Sequence, residues 1–188
     1  EIPEGVLVFL LAVIPLSGGS HINLMRAESP GPSVGKLVPK IRYTARILYI
    51  IYFAMTVLEI VLLLVGGMPF FDALTTSFGT AGTGGFGIKN DSFVSYSPYL
   101  QWVVTIFMIL FGVNFNAYYI MLFGKLKKAF FEEVRAYFAI IGVSVCIIFF
   151  NILNTCSGIF EALTHASFQV SSIITTTGFS SVDFDLWP

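Results

Sequence analysis

Three long apolar runs set the pattern of the chain. They extend from about Tyr43 to Val65, from about Tyr99 to Phe123 and from about Ala136 to Leu153. A helix needs about 20 apolar residues to cross a hydrocarbon core of ~30 Å, so each run predicts a membrane span. A fourth run, Val6 to Leu16, is shorter and is expected to be the tail of a longer helix. Its rival reading is a signal peptide. That would need a basic leader, whereas the charges ahead of the run are Glu1 and Glu4.

Two polar stretches of similar make interrupt the pattern, Thr80-Ala81-Gly82-Thr83-Gly84-Gly85-Phe86 and Ile174-Thr175-Thr176-Thr177-Gly178-Phe179-Ser180. Each follows a segment too brief to span a bilayer, predicted as a short helix at about residues 69–79 and 159–173. Gly66-Gly67 ends the preceding span, and Pro69 suits a first helical turn, where its missing N–H has no partner anyway. Gly158 is expected to play a similar part before the second short helix. Lipid leaves non-helical backbone unsatisfied unless that backbone lines a water- or ion-filled path. The stretches therefore predict re-entrant loops. A short helix ending at each loop would point its partial negative charge there, which favours a cation.

Composition and charge sharpen the picture. Of 188 residues 56% are hydrophobic and only 11% charged, which supports a membrane setting. Nine of the ten Lys and Arg fall in two regions: Arg26, Lys36, Lys40, Arg42 and Arg46, then Lys125, Lys127, Lys128 and Arg135. The positive-inside rule makes both regions cytoplasmic and puts the Thr/Gly stretches on the opposite face. That topology accounts for the basic residues, and a net charge of −1 gives no case for nucleic acid. Cys146 and Cys156 read as core residues, and His21 and His165 are too far apart to suggest a metal site. An embedded enzyme would need a nucleophile with a base or metal ligands in the spans. Both His lie outside them and Ser144 has no base nearby, so an enzyme is not expected.

The two stretches also read as a repeat. Gly84 and Gly178 stand 94 residues apart, and Phe71-Asp72-Ala73-Leu74-Thr75 resembles Phe160-Glu161-Ala162-Leu163-Thr164. The lead-ins differ: Phe71 is 13 residues before Gly84, and Phe160 is 18 before Gly178, as if the second short helix were longer by a turn or more. Consecutive backbone carbonyls can replace the water shell of a potassium ion, and Gly gives the backbone the φ > 0 this often needs. Gly82-Thr83-Gly84-Gly85-Phe86-Gly87 also fits G-x-G-x-x-G, but that pattern carries meaning only between a strand and a helix. Here a helical segment precedes it and a polar loop follows.

With these residues in view, the chain resembles the membrane subunit of the Trk/Ktr/HKT superfamily of potassium uptake proteins, nearest the bacterial TrkH type. The resemblance is carried by Phe71 to Leu74, Gly82 to Phe86, Phe168-Gln169-Val170, Thr175 to Phe179, Asp183 to Pro188 and Arg26 to Pro32. It implies an all-α membrane protein of helix–pore-helix–helix repeats of potassium-channel type, four in the family, each with a re-entrant filter loop. Residues 1–42 would be the end of the first repeat and a cytoplasmic link. Residues 43–124 would be the second repeat, and 125–188 a link and an incomplete third. The first and fourth loops are missing, so the chain is expected to be a fragment of a longer protein. By matched position the ion-binding carbonyls are expected from Ala81, Gly82, Thr83 and Gly84 and from Thr175, Thr176, Thr177 and Gly178. Gly at the key position goes with potassium in the family, and Ser with sodium in plant relatives.

The resemblance further implies a multi-pass protein of the bacterial cell membrane, surrounded by lipid and forming a homodimer. It would be regulated by a cytoplasmic TrkA-type nucleotide-binding subunit, with K+ as transported ion and no covalently bound cofactor. The competing function is a secondary transporter for another cation or small solute, built on broken membrane helices. Among polar residues in the spans, Glu59 is a functional candidate or is expected to bond a neighbouring helix or pore helix, and Asn114 and Asn116 are expected to bond across helices or line the inner cavity. Asp72, Asp91, Asp183 and Asp185 would gather cations at the outer mouth or simply be solvated.

Overall fold

The computed structural model describes residues 41–122 and 129–187. The run Val6–Leu16, His21, Arg26, Lys36, Lys40, Lys125, Lys127 and Lys128 lie outside the described residues, as do the side chains of Arg42 and Asn116. The described elements are helical: α1 (Ile41–Val65), α2 (Phe70–Ala81), α3 (Pro98–Phe111), α4 (Phe115–Leu122), α5 (Glu132–Ile152), α6 (Ile159–Ile174) and a 3₁₀ turn at Phe184–Leu186.

Two of these helices are long and apolar enough to cross a membrane, over Arg46–Val65 in α1 and Glu132–Ile152 in α5. Each carries an exposed apolar stripe at helical spacing: Ile50, Phe53, Val57, Val61 and Leu64 on α1, and Ile140, Val143, Ile147 and Phe150 on α5. Cys146 is exposed as well, which corrects its reading as a core residue. A helix flanked by lipid can leave such a stripe uncovered, since its backbone is already satisfied.

The chain divides into two compact units. One combines Thr56–Val113 with Arg135–Pro188 and holds both short helices, α2 and α6, with both Thr/Gly loops. In it α3 packs against α2 and against α6. Gly66 lets α1 end against α3, because a Cβ there would stand 2.6 Å from the Tyr99 ring. Trp102 Nε1 donates to Thr164 Oγ1 at 3.0 Å, tying α3 to α6. The other unit joins Asn114–Val134 to the chain up to Met55. Within it Asn114, which lies just ahead of α4 and outside any helix, donates to Glu133 of α5 at 3.2 Å.

The second apolar run is not one helix. It breaks at Gly112–Asn114, between α3 and α4. The cause is tertiary. The Tyr137 hydroxyl donates to the Ile109 carbonyl at 3.0 Å, the acceptor an unbroken helix would use for Val113 N–H. Val113 N–H turns instead to the Leu110 carbonyl at 3.2 Å. The same Tyr137 hydroxyl, together with Thr175 Cγ2 at 2.8 Å, closes over the position a Cβ of Gly112 would take.

The apolar centre of the loop-bearing unit is aromatic. Phe93 is buried with its ring centroid 5.1 Å from Tyr96, 5.4 Å from Phe168 and 5.0 Å, edge-on, from Phe179. Its backbone N–H also donates to the Ser180 carbonyl at 2.8 Å. Truncating a buried Phe to Ala costs about 3 kcal/mol or more. Phe93→Ala should therefore lower stability by about 3 kcal/mol in thermal melts of purified protein, and Phe93→Leu by clearly less. An Ala variant that melts with the parent would show that this cluster does not hold the unit together.

Candidate functional site

The two Thr/Gly loops are built by the same backbone scheme. In the first, Gly82, Thr83 and Gly84 N–H groups turn back to the carbonyls of Phe78 (2.9 Å), Thr80 (3.2 Å) and Gly79 (2.8 Å). In the second, Thr175, Thr176 and Thr177 N–H groups turn back to Ser171 (3.1 Å), Ile173 (3.1 Å) and Ser172 (2.9 Å). Left-handed backbone recurs in step: Thr83 at φ 49° matches Thr176 at 58°, and Gly85 at 63° matches Gly178 at 89°. A β-branched residue rarely takes positive φ, so the strain at both Thr positions is part of the design of the loops.

This register differs from the spacing suggested by Gly84 and Gly178. The residue that matches Gly178 is Gly85, 93 positions earlier, and Phe86 then matches Phe179. The lead-ins Phe71 and Phe160 are 89 positions apart, which leaves four residues to account for. Helix length supplies them: α2 has 12 residues and α6 has 16, one turn more. Sequence reading missed this because the Gly84-Gly85 pair offers two candidates, and only hydrogen bonding and φ tell them apart.

The loops touch each other. Gly85 packs on the Thr177 carbonyl so closely that a Cβ would collide with its oxygen and lie 3.1 Å from the Gly178 carbonyl carbon. The buried Phe179 ring reaches across to α2, where a Cβ on Gly79 would stand 3.0 Å from its Cζ. Outside the loops, Ser180 N–H donates to Ser92 Oγ at 3.0 Å, beside the Phe93–Ser180 backbone bond. The link through Ser92, Phe93 and Ser180 gave no sequence signal, since it pairs two polar loops distant in the chain.

Side chains hold the second loop from behind. Ser172 Oγ donates to the Phe179 carbonyl at 2.6 Å, and Thr175 Oγ1 lies 2.7 Å from the Ser171 carbonyl and 2.8 Å from Thr177 Oγ1. Gln169 donates to Ser180 Oγ at 2.9 Å, and His165 Nδ1 meets Ser181 Oγ at 2.9 Å. The approach to the first loop is braced differently. Tyr96 donates to Asp72 at 3.0 Å, and Lys89 Nζ lies over the Tyr96 ring at 4.0 Å while donating to Ser95. Burial first, and then the Asp72 carboxylate it bonds, push the Tyr96 phenol up to about 12, so it stays a donor. Asp183 caps the 3₁₀ turn by accepting from Asp185 N–H at 3.2 Å. Among the described residues no group of acids, His or Cys is arranged to hold a metal ion.

What the loops offer is unused acceptors. With their N–H groups folded back, the carbonyls from Ala81 to Gly85 and from Thr175 to Gly178 accept no hydrogen bond among the described residues. Ala81 is the last residue of α2, so Gly82 to Gly85 are the first-loop counterpart of Thr175 to Gly178.

Residues 3–188 match the family model of TrkH, described as a cation transport protein. The chain is 33% identical over 192 residues to the Trk system potassium uptake protein TrkH of Salmonella typhimurium, and 31% identical over 193 residues to that of Escherichia coli K12. Each alignment covers 98% of this chain and 39% of the relative, so the chain spans about two fifths of their length. A crystal structure of the potassium transporter TrkH from Vibrio parahaemolyticus superposes with a TM-score of 0.77 at 28% identity, over 98% of this chain and 38% of that one.

The contrast between Gly84 and Gly85 is testable. Gly85→Ala adds left-handed strain and drives a methyl into the Thr177 carbonyl, whereas Gly84→Ala meets only the exposed Phe86 ring at 3.3 Å. Gly85→Ala should cost about 2 kcal/mol or more in thermal melts of the intact protein, and Gly84→Ala under about 1 kcal/mol. Equal losses would contradict the register.

Proposed function

The chain belongs to the TrkH family of cation transport proteins, and on that premise we propose that it supplies two adjacent quarters of a potassium-conducting filter. The observation that carries this reading is the pair of loops with one backbone register, one φ pattern and two runs of unused carbonyls. A potassium ion entering a narrow path must exchange water oxygens for others, and carbonyls already turned away from hydrogen bonding are ready to serve. The ends of α2 and α6 add partial negative charge where the ion would sit. The names of the Salmonella, Escherichia and Vibrio relatives, all potassium transport or uptake proteins, favour the same ion.

In this reading the ion-facing set is Gly82, Thr83, Gly84 and Gly85 with Thr175, Thr176, Thr177 and Gly178. The register moves the first-loop set one residue along from Ala81–Gly84. The repeat boundaries near residues 43–124 and 125–188 are part of the same proposal. Selection of K+ would come from carbonyl geometry, with no covalent chemistry.

The break at Gly112–Asn114 favours one other reading, a secondary transporter whose broken helices hold a solute at mid-membrane. That reading predicts saturable flux coupled to a second ion. The intact protein in liposomes separates the two. Rubidium uptake should follow the potassium gradient alone, and Gly178→Ser should reduce discrimination against sodium about tenfold, or about 1.4 kcal/mol. Uptake that requires a second ion, with selectivity untouched in the Ser variant, would sink the filter reading.

A further inference from the structure

Behind the first loop lies a buried acid that the filter reading does not use. Glu59 of α1 has no exposed surface. Among the described residues neither of its carboxyl oxygens has a hydrogen-bond partner, and the buried Ser77 hydroxyl of α2 is in the same position. The Thr80 hydroxyl stands beside the Glu59 carboxyl. Ser77 and Thr80 are three residues apart on α2 and both fully buried, so they share one face of that helix.

The protons decide what Glu59 can do there. The Thr80 hydroxyl donates to the Thr76 carbonyl at 2.9 Å, so its proton is already engaged. What it still offers is acceptor lone pairs. A carboxylate has only acceptors and gains nothing from them; a carboxylic acid can donate to them. No described cation compensates a charge at Glu59. Arg46 lies 13 residues away on the same helix, Arg135 is exposed, Lys89 is held by Ser95 and Tyr96, and the described ion pair joins His165 to Glu161 instead. A buried, unpaired and undonated carboxylate is among the costliest arrangements in a protein.

We propose that Glu59 carries its proton and donates it to Thr80 Oγ1, acting as a positioning residue for the first filter loop. The transmission is short. The Thr80 carbonyl receives Thr83 N–H, the donor of the strained Thr, and the neighbouring Gly79 carbonyl receives Gly84 N–H. Fixing the Thr80 side chain fixes the last turn of α2 from which the loop carbonyls hang. The second loop has no such acid: Ile173 occupies the position matching Thr80, and hydroxyls of Ser172 and Thr175 brace that loop.

Infrared difference spectroscopy on the intact protein in lipid tests the protonation directly. At neutral pH the wild type minus Glu59→Gln spectrum should contain the carbonyl stretch of a neutral carboxylic acid. Thr80→Val should shift that band by removing its acceptor. A carboxylate band in its place, or an acid band that Thr80→Val leaves unmoved, overturns the proposal. The positioning role rests on the potassium-filter reading and is measured as rubidium uptake with sodium competition. Glu59→Gln, a neutral isostere able to donate, should keep discrimination within twofold of wild type, and Glu59→Ala should lose at least tenfold. A Gln variant as impaired as the Ala variant overturns the role. If the wild type carries no potassium, it is the filter reading that fails, and the infrared bands still decide the protonation.

Discussion

The structure depends on how the backbone beyond each short helix spends its hydrogen-bonding groups. The N–H groups of Gly82 to Gly84 after α2, and of Thr175 to Gly178 after α6, fold back onto the carbonyls of the last helical turn. This caps both helices at their C-terminal ends through the backbone, and it leaves the loop carbonyls without a donor. Apolar surroundings would not tolerate so many idle acceptors, and the strain at Thr83 and Thr176 would have no compensation. In the proposed function, a cation path would turn the idle acceptors into ligands.

Around that shared scheme the two loops are supported by different means. At the position where α6 has Ser172, α2 has Gly79. Ser172 uses its hydroxyl to hold the Phe179 carbonyl of its own loop, whereas Gly79 gives up its side chain to make room for the Phe179 ring of the other. The second loop is therefore held by its own helix, and the first is held in part by the second. Gly85 against Thr177 completes the lock, so a disturbance at Phe179 reaches both loops.

Much of this was legible in the chain. The runs that became α1 and α5, the short helices after Pro69 and Gly158, and the Thr/Gly loops all follow from hydrophobic length and from Gly, Pro and Thr placement. What escaped lies in tertiary hydrogen bonds. The second span looks continuous until Tyr137, from another helix, takes the Ile109 carbonyl. The repeat looks anchored at Gly84 until φ and hydrogen-bond register select Gly85. Glu59 looks like one more polar residue in a span until its complete burial beside Thr80 is seen. In each case sequence supplies the residue and packing supplies its partner.

The central claim is that the two runs of carbonyls share one ion. Anomalous diffraction from crystals of the intact protein grown in rubidium would test it most directly. The account predicts an anomalous peak bounded by the carbonyls of Gly82–Gly85 on one side and Thr175–Gly178 on the other, weakened when sodium replaces rubidium. Rubidium found only at the acids Asp72, Asp91, Asp183 or Asp185, with none between the loops, would contradict it.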